Sequence, residues 1–330
     1  MKNLVIKSVV IICIALPLAL GGSVAFSESP STDQDITKPV PFPSPPNNRY
    51  GTYEPSMTAD QKTIYFAMFP PPVGDPDPKR PGDRDIYVSH KIGDKWTEPQ
   101  LLPAPINSPY TDTEPMISPD GRTLIFMSNR PGGMGKRDLF ISRKKADSDE
   151  WGPVENMGYP FNTKYTDHCL IMTTNTSGDV VGYWTSLRPG GYGLGDIWAS
   201  RRLPNGKWSD AWNVGPTINT AKNQCRFVPG QGNSIGIVSD HDRVHHADFL
   251  VRFDPGTKSW VGPRIPAGWN SPGGQNDGCG NLTADGKKFF WSSGRDLPPG
   301  YTFPARFQMY WLYTETILKY YEDKTGISVR

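Results

Sequence analysis

Several features are scarce in this chain of 330 residues, and each scarcity narrows its class. Neither sign of charge dominates, because 35 basic residues accompany 33 acidic ones, so nothing favours binding to nucleic acid or to an anionic membrane. Apolar runs are shorter than the ~20 residues that span a bilayer. Cysteines number four, and three lie beyond the N-terminal segment, so at least one thiol has no disulfide partner within the chain.

Several cofactor and catalytic motifs are also absent. The chain has no Cys-x-x-Cys-His segment, which excludes covalently attached haem. It has no His-Glu-x-x-His pair and no phosphate-binding loop. We therefore expect no catalytic residues and no certain cofactor, although an active site can also be assembled from residues that lie far apart in the sequence.

Residues 1–27 have the pattern of a secretory signal. Lys2 and Lys7 flank the start of an apolar run at 9–20, and Ala25-Phe26-Ser27 offers a cleavage site of mainly small residues. A membrane anchor is the alternative, but the run is short and no lipidation cysteine follows it. We expect an exported protein of the periplasm or another extracytoplasmic compartment.

One sequence motif recurs five times, and residues 114–130 (EPMISPDGRTLIFMSNR) are its clearest copy. Its β-branched and aromatic residues are punctuated by turn residues, which is typical of a four-stranded propeller blade. An asparagine precedes each copy, and the five are Asn47, Asn107, Asn162, Asn219 and Asn270. The repeat predicts an all-β, five-bladed propeller with blades near 47–106, 107–161, 162–218, 219–269 and 270–314, after a Pro-rich linker at 28–46.

Turns and ring closure follow from the same pattern. Asp120-Gly121 and Asp285-Gly286 predict type I′ hairpin turns. The fifth copy lacks the outer tryptophan strand, so another segment must complete it. We favour the tail at 315–330, because prolines in segment 39–48 remove ladder donors. A short helix is the alternative for that tail.

Polar residues precede the inner-strand core of four blades. They are Glu54, Glu114, His168 and Gln224, with Gly278 in the fifth. Symmetry places them around the mouth of the channel, where they could hold a cation. Oxygen ligands favour Ca²⁺, and the histidine permits a transition metal. The alternative is that they line a water-filled channel.

The three cysteines beyond the N-terminal segment share one repeat position. Cys169, Cys225 and Cys279 align with Pro55 and Pro115 of the first two blades, so we expect an arc of thiols near the axis. Three explanations stay open: a small buried residue, a disulfide between neighbouring blades, or a thiolate metal site.

Blade four carries an unusual loop in place of the Arg-Pro-Gly-Gly loops of blades two and three. It contains Asp240, His241, Asp242, His245 and His246. We interpret it as a contact loop for a protein partner, and zinc or copper ligation is the alternative. The recurring aspartates and arginines of the blades are better explained as structural than as catalytic.

The motif at 114–130, followed by Asp138-Leu139-Phe140 and Trp151, resembles the WD40-like repeat of the TolB-type propeller family. The resemblance covers roughly residues 47–314. It implies an exported docking platform in a larger assembly, with no catalytic residues to carry over. The chain is also similar in kind to the haem-free propeller subunit of a periplasmic redox complex such as hydrazine synthase, which implies a haem-bearing partner.

Three functions remain as hypotheses. Our main prediction is a non-catalytic scaffold subunit of a multi-subunit enzyme complex. The first alternative is a propeller enzyme that acts on saccharides, with carboxylates about 5–9.5 Å apart, or a metal-dependent site at the channel mouth. The second is a lectin-like module with pockets near Trp184, Trp198 and Trp291.

Overall fold

The computed structural model describes residues 34–48, 50–69, 84–175, 177–230, 235–241, 246–271, 277–295 and 307–329. The predicted signal at 1–27 lies outside these ranges, as do residues 28–33 of the predicted linker. Within them, no helix is both long enough and apolar enough to cross a membrane.

Five antiparallel sheets confirm the predicted five-bladed β-propeller. The first described strand is β1 (Val40–Pro41). Blade one contains β2 (Thr52–Met57), β3 (Thr63–Met68), β4 (Asp85–Ile92), β5 (Lys95–Trp96) and β6 (Gln100–Leu101). Blade two contains β7 (Asp112–Ile117), β8 (Thr123–Ser128), β9 (Asp138–Lys144) and β10 (Trp151–Asn156). Blade three contains β11 (Asp167–Thr174), β12 (Val180–Ser186), β13 (Asp196–Arg201) and β14 (Trp212–Asn213).

Blade four contains β15 (Asn223–Pro229), β16 (Ile235–His241), β17 (His246–Asp254) and β18 (Ser259–Pro266). Blade five contains β19 (Gly278–Leu282), β20 (Lys288–Ser293) and β21 (Gln308–Tyr313), and the helix α1 (Thr314–Thr325) follows. The inner strands β2, β7, β11, β15 and β19 contact one another in sequence and close a ring around the axis.

The ring is closed by the N-terminal segment, so our preference for the C-terminal tail is wrong. Strand β1 pairs with β21 as the outer strand of blade five, and the Phe42 N–H donates to Met309 O at 2.8 Å. Proline at position 41 is tolerated because β1 lies at a sheet edge. The tail forms α1, the alternative, which packs Ile317 and Tyr321 against blades four and five.

The recurring asparagine joins each blade to the one before it. Asn219 donates from Nδ2 to Ile197 O at 2.9 Å and accepts from the Ile197 N–H at 2.8 Å. Asn107, Asn162 and Asn270 make the same pair of bonds with the third strand of the preceding blade. Asn47 makes it with Met309, so this repeated clamp also closes the ring.

The hairpin turns differ from the type I′ prediction. Gly121 has φ of 71°, but Asp120 is not among the residues with positive φ. The Gly121 N–H donates to Ser118 O at 2.8 Å, which makes a type I turn followed by a left-handed residue. Asp120 Oδ1 accepts from the Ser118 hydroxyl and the Arg122 N–H and holds the turn in this form.

Apolar side chains fill the wedges between neighbouring blades. Tyr65 and Ile86 of blade one pack with Phe126 and Trp151 of blade two. A similar cluster joins blade three to blade four. Since a fully buried aromatic or aliphatic side chain contributes about 1.5–3 kcal/mol, these wedges hold the ring together.

Buried ion pairs support the structural interpretation of the recurring arginines. Arg188 contacts Asp167 at 3.0 Å and Arg295 contacts Asp277 at 3.1 Å, each at the start of an inner strand. Arg130 makes the same pair with Asp112 at 2.6 Å. These residues fix the inner strands and leave the axis to other side chains.

Candidate functional site

One residue of each inner strand occupies an equivalent axial position. The five are Glu54, Glu114, Cys169, Arg226 and Cys279. Each lies at or beside a β-bulge, and all but Arg226 have φ between 55° and 57°. Left-handed backbone costs a residue other than glycine about 1–3 kcal/mol, so the surrounding fold holds these residues in place.

This register corrects the predicted alignment of the thiols. Cys169 and Cys279 align with the two axial glutamates and not with the prolines that follow them, while Cys225 shares the position of His168. The sequence held the signal, since three axial residues precede their turn aspartates by the same six positions: Glu54 and Asp60, Glu114 and Asp120, Cys279 and Asp285.

The two glutamates link blades one, two and three through their side chains. Glu54 Oε2 accepts from the Glu114 N–H at 2.9 Å and from the Thr113 hydroxyl at 2.6 Å. Glu54 Oε1 contacts Arg84 at 2.8 Å. In the same way, Glu114 Oε2 accepts from the Cys169 N–H at 2.5 Å. Each carboxylate therefore fixes the axial backbone of the next blade.

The imidazole of His168 lies where these blades meet. Its Nδ1 is 3.3 Å from Glu114 Oε1 and 3.2 Å from Cys169 Sγ. These carboxylate, imidazole and thiol donor atoms all lie within 4.8 Å of one another. Glu114 and Cys169 are buried and His168 is nearly so, which makes this a compact, desolvated cluster.

The other thiols lie beside this cluster. The Cys279 thiol hydrogen-bonds with those of Cys169 and Cys225. Cys225 Sγ is 3.9 Å from His246 Nδ1. All three cysteines are free thiols, so the structure contains none of the predicted disulfides between blades.

Burial and charge shift the pKa values of the axial groups in different directions. Burial raises the pKa of Glu114, but His168 and Arg226 outweigh it and lower that pKa to about 2. Burial raises the pKa of Glu54, and the charge of Arg84 opposes the rise only partly. Hydrogen bonds from Cys169 and Cys225 lower the pKa of Cys279 well below that of a free thiol. Glu114 is therefore ionised at neutral pH.

These groups line a cavity of about 680 Å³ at one end of the ring. Glu54, Glu114, His168, Cys169 and Cys279 form its charged and thiol-bearing part. The aromatic side chains of Tyr53, Phe69 and Phe307 form another part. The cavity thus combines an apolar wall with titratable groups, which is typical of small-molecule sites.

The structure brings together most of the residues that the sequence singled out. Glu54, Glu114 and His168 share the cavity as predicted, but Gln224 does not line it. The Gln224 side chain is fully buried and bonds Thr220 and Asp240, so its role is structural. The prediction that Gln224 is an axial ligand is therefore wrong.

The described residues of the predicted partner-contact loop lie at the axial cavity or are buried, and not on an exposed surface. His241 and His246 line the axial cavity, with their rings 3.9 Å apart. Asp240 is buried and forms an ion pair with Arg264, so it does not offer a surface for a partner. Asp242 and His245 lie outside the described residues. The predicted lectin-like pockets are not supported either. The side chains of Trp184 and Trp291 are fully buried and cannot contact a ligand.

Sequence reasoning missed four contributors to the site. Arg84 and Tyr53 line the cavity, Phe307 completes its aromatic wall, and Arg226 lies buried among the axial groups. Arg226 had a signal, because it is the one basic residue at a position where the other blades have glutamate or cysteine. Arg84 and Phe307 belong to loops whose direction no repeat pattern specifies.

Comparison with known proteins gives a fold but no family. No protein-family profile and no curated sequence matches the chain. The α-L-arabinofuranosidase from Lactobacillus brevis superposes with a TM-score of 0.54 at 12% identity, over 81% of this chain and 92% of that one. A family 117 glycoside hydrolase from Zobellia galactanivorans gives 0.50 at 12% identity, over 83% and 87%. TolB from Acinetobacter baumannii gives 0.42 at 14% identity, over 79% and 54%.

Identities this low establish the shared propeller fold alone. The predicted five-bladed propeller is confirmed, and nothing supports a hydrazine synthase subunit. Further glycoside hydrolases superpose with TM-scores of 0.51 and 0.50, namely a thermostable family 43 enzyme and an endo-arabinanase from Bacillus licheniformis. These comparisons overturn our main prediction of a non-catalytic scaffold and favour the saccharide alternative. The predicted haem-bearing partner stays a prediction.

Proposed function

We propose that this chain is an exported enzyme that acts on a saccharide bound in the axial cavity. One observation carries the proposal: an aromatic wall and a cluster of titratable groups share a single cavity of about 680 Å³. Pockets of roughly 300–1,000 Å³ bind small organic ligands. Related propellers that hydrolyse glycosides add support at the level of the fold only.

The aromatic wall suits the apolar face of a sugar ring. Tyr53 and Phe307 have ring centroids 4.6 Å apart, and Tyr53 and Phe69 are 5.5 Å apart. A sugar ring presents C–H groups on its faces and hydroxyls at its edge, so it can pack on such a wall while its hydroxyls reach charged groups. The wall therefore supports a saccharide over a purely apolar ligand.

The rim of the cavity favours an anionic saccharide. Arg137 and Lys222 line it, and neither forms an ion pair with another described residue. Glu54, by contrast, is already balanced by Arg84. A uronate-containing chain would therefore find positive charge at the mouth of the cavity.

The reaction that we propose is cleavage of a glycosidic bond by hydrolysis or elimination. Both oxygens of Glu54 are engaged, by Arg84 and by the Thr113 and Glu114 donors, so Glu54 acts as a positioning residue. Glu114 and His168 present a carboxylate oxygen and a ring nitrogen beside the thiol of Cys169. The scissile bond should lie against this group.

Reducing-sugar release tests the proposal, with neutral arabinan, xylan and fructan and an acidic uronan as substrates. We expect release from the acidic substrate above the neutral ones. Phe307→Ala should raise KM by about tenfold, because it removes one ring of the wall. Trp212→Ala is the matched control, since that exposed tryptophan lies in the outer strand β14.

Two outcomes would contradict the proposal. Binding of saccharide without release of product would indicate a ligand-binding module. A Phe307→Ala variant with unchanged KM would exclude the aromatic wall as the substrate platform. Export is tested separately, by recovery of the processed chain outside the cytoplasm.

A further inference from the structure

The geometry points to a transition-metal site, best matched to Zn²⁺, formed by Glu114, His168 and Cys169 at the axis. This set replaces the predicted axial set of Glu54, Glu114, His168 and Gln224, keeping Glu114 and His168 and adding the thiol of Cys169. Thiolate, imidazole and carboxylate are the donors that Zn²⁺ accepts. Ca²⁺ and Mg²⁺ bind oxygen and do not take a thiolate.

The distances between the donor atoms fit one ion. His168 Nδ1 lies 3.3 Å from Glu114 Oε1 and 3.2 Å from Cys169 Sγ. Bonds of about 2.0–2.3 Å at tetrahedral angles place ligand atoms roughly 3.3–3.8 Å apart. Two of the three donor separations therefore match the spacing that a bound ion requires, and all three donor atoms lie within 4.8 Å of one another.

The ring nitrogen of His168 has two polar neighbours in this cluster. The ring nitrogen faces both a carboxylate oxygen and a thiol sulfur, and a single N–H proton can be donated to one of them only. Glu114 and Cys169 are buried at the wall of the axial cavity. A cation between the three atoms would satisfy all of them at once.

The ligands are also held in place before any ion binds. Glu114 Oε2 accepts from the Cys169 N–H, which turns Oε1 towards His168. The Glu114 backbone is itself held by Glu54. Outer contacts of this kind orient the ligands of protein metal sites and tune their affinity. The left-handed backbone of Glu114 and Cys169 directs both residues to one point.

Three protein ligands leave a coordination position open, which is the arrangement of catalytic zinc rather than structural zinc. All three ligands line the axial cavity, so the open position can face a bound saccharide. Zinc lowers the pKa of a bound water to about 7, which would supply the attacking hydroxide for hydrolysis. This last clause rests on the proposed function, whereas metal binding does not.

A cobalt titration tests the site without reference to activity. The reduced full-length chain is freed of metal with a chelator and titrated with Co²⁺, which reports thiolate ligation by its charge-transfer absorption. We expect about one Co²⁺ per chain, displaced by Zn²⁺. Cys169→Ser should abolish the band, and Cys225→Ser should keep it, since Cys225 is a neighbouring buried thiol outside the ligand set.

His168→Gln and Glu114→Gln should each weaken Zn²⁺ binding by more than about 100-fold. Loss of a contact outside the ligand set costs only about 10–100-fold. Circular dichroism identifies variants that fail to fold, and the wild-type titration decides the question if they do. No cobalt band in the wild type, or a band that survives Cys169→Ser, overturns the site. If sugar release persists without bound metal, the proposed function stands and the zinc-bound hydroxide is overturned, while the Co²⁺ titration alone decides whether the site binds metal. A bound ion without sugar release would support the metal site and contradict the proposed function.

Discussion

Two positions recur in every blade of the ring, and they differ in whether the residue type is kept. Before every blade the same asparagine makes the same two backbone hydrogen bonds, from Asn47 to Asn270. At the axial position the backbone is again similar, but the residues are glutamate, cysteine and arginine. The repeated asparagines hold the blades together, whereas the varying axial residues lie together at one cavity.

Asp248 is a second departure of this kind. The asparagine clamp grips an apolar residue in the other blades, such as Leu139 or Ile197, but in blade four it grips this aspartate. Asp248 is fully buried and accepts from the Ser239 hydroxyl and the Trp269 indole N–H. The same backbone position therefore carries a titratable group in a single blade.

The largest expected effect is at the axial arginine. Arg226 is 1% exposed, and its charge lies near Glu54 and Glu114. Arg226→Met should lower the free energy of unfolding by about 3–5 kcal/mol, because it leaves buried carboxylates uncompensated. Urea unfolding measures this, with the exposed Arg202→Met as control, expected within about 0.5 kcal/mol. Equal losses in the two variants would remove the distinction between axis and surface.

Asp248 should make stability depend on pH. Burial raises its pKa to about 7, from an ordinary value of 3.8, despite the bonds from Ser239 and Trp269. Between about pH 4 and 7 the folded protein keeps a proton that the unfolded chain has lost, so the free energy of unfolding falls as pH rises through this window. The fall attributable to this residue should be about 4 kcal/mol.

Asp248→Asn should abolish that component, because an amide can donate to Ser239 and accept from Trp269 without titrating. Urea unfolding of both proteins from pH 4 to 8 measures the difference between the two curves. Parallel curves would show that Asp248 titrates as an ordinary carboxyl group and that its position in blade four has no electrostatic consequence.

The asparagine clamp should give a smaller loss that is equal between blades. Asn219→Ala leaves the N–H and the carbonyl of Ile197 unpaired in the core and should cost about 2–3 kcal/mol. Asn162→Ala should cost the same within error, and the exposed turn variant Asn205→Ala should cost well under 1 kcal/mol. Strongly unequal losses at 162 and 219 would mean that the clamp is not a uniform device.

Metal should have the smallest effect on stability. Saturating Zn²⁺ should raise the melting temperature of the chelator-treated wild type by a few degrees, because it binds only the folded chain. Cys169→Ser should show no rise, while Cys225→Ser should respond like the wild type. Differential scanning calorimetry in the presence of reductant measures both. A rise that is the same in all three proteins would indicate adventitious binding.

The sequence predicted the ring and five blades because turn residues and asparagines recur at blade-length spacing. It also marked Glu54, Glu114 and His168 as axial. The thiol alignment failed because it was not counted from the turn aspartates, which lie six residues after Glu54, Glu114 and Cys279 alike. The longer inner strand of blade three hides that spacing for Cys169. Ring closure could have been inferred from Asn47, which must clamp a preceding blade. The convergence of His246 on the axis depends on its contacts with Cys225 and with Asp277 of blade five, which the pattern within one hairpin does not report.

The most direct test of the axial site is a crystal structure of the zinc-loaded protein with an anomalous difference map recorded at the zinc edge. The account predicts one strong peak in the axial cavity, at about 2.0–2.3 Å from Glu114 Oε1, His168 Nδ1 and Cys169 Sγ. A peak elsewhere, or an axis without zinc in which Cys169 and Cys279 are joined as a disulfide, would contradict it.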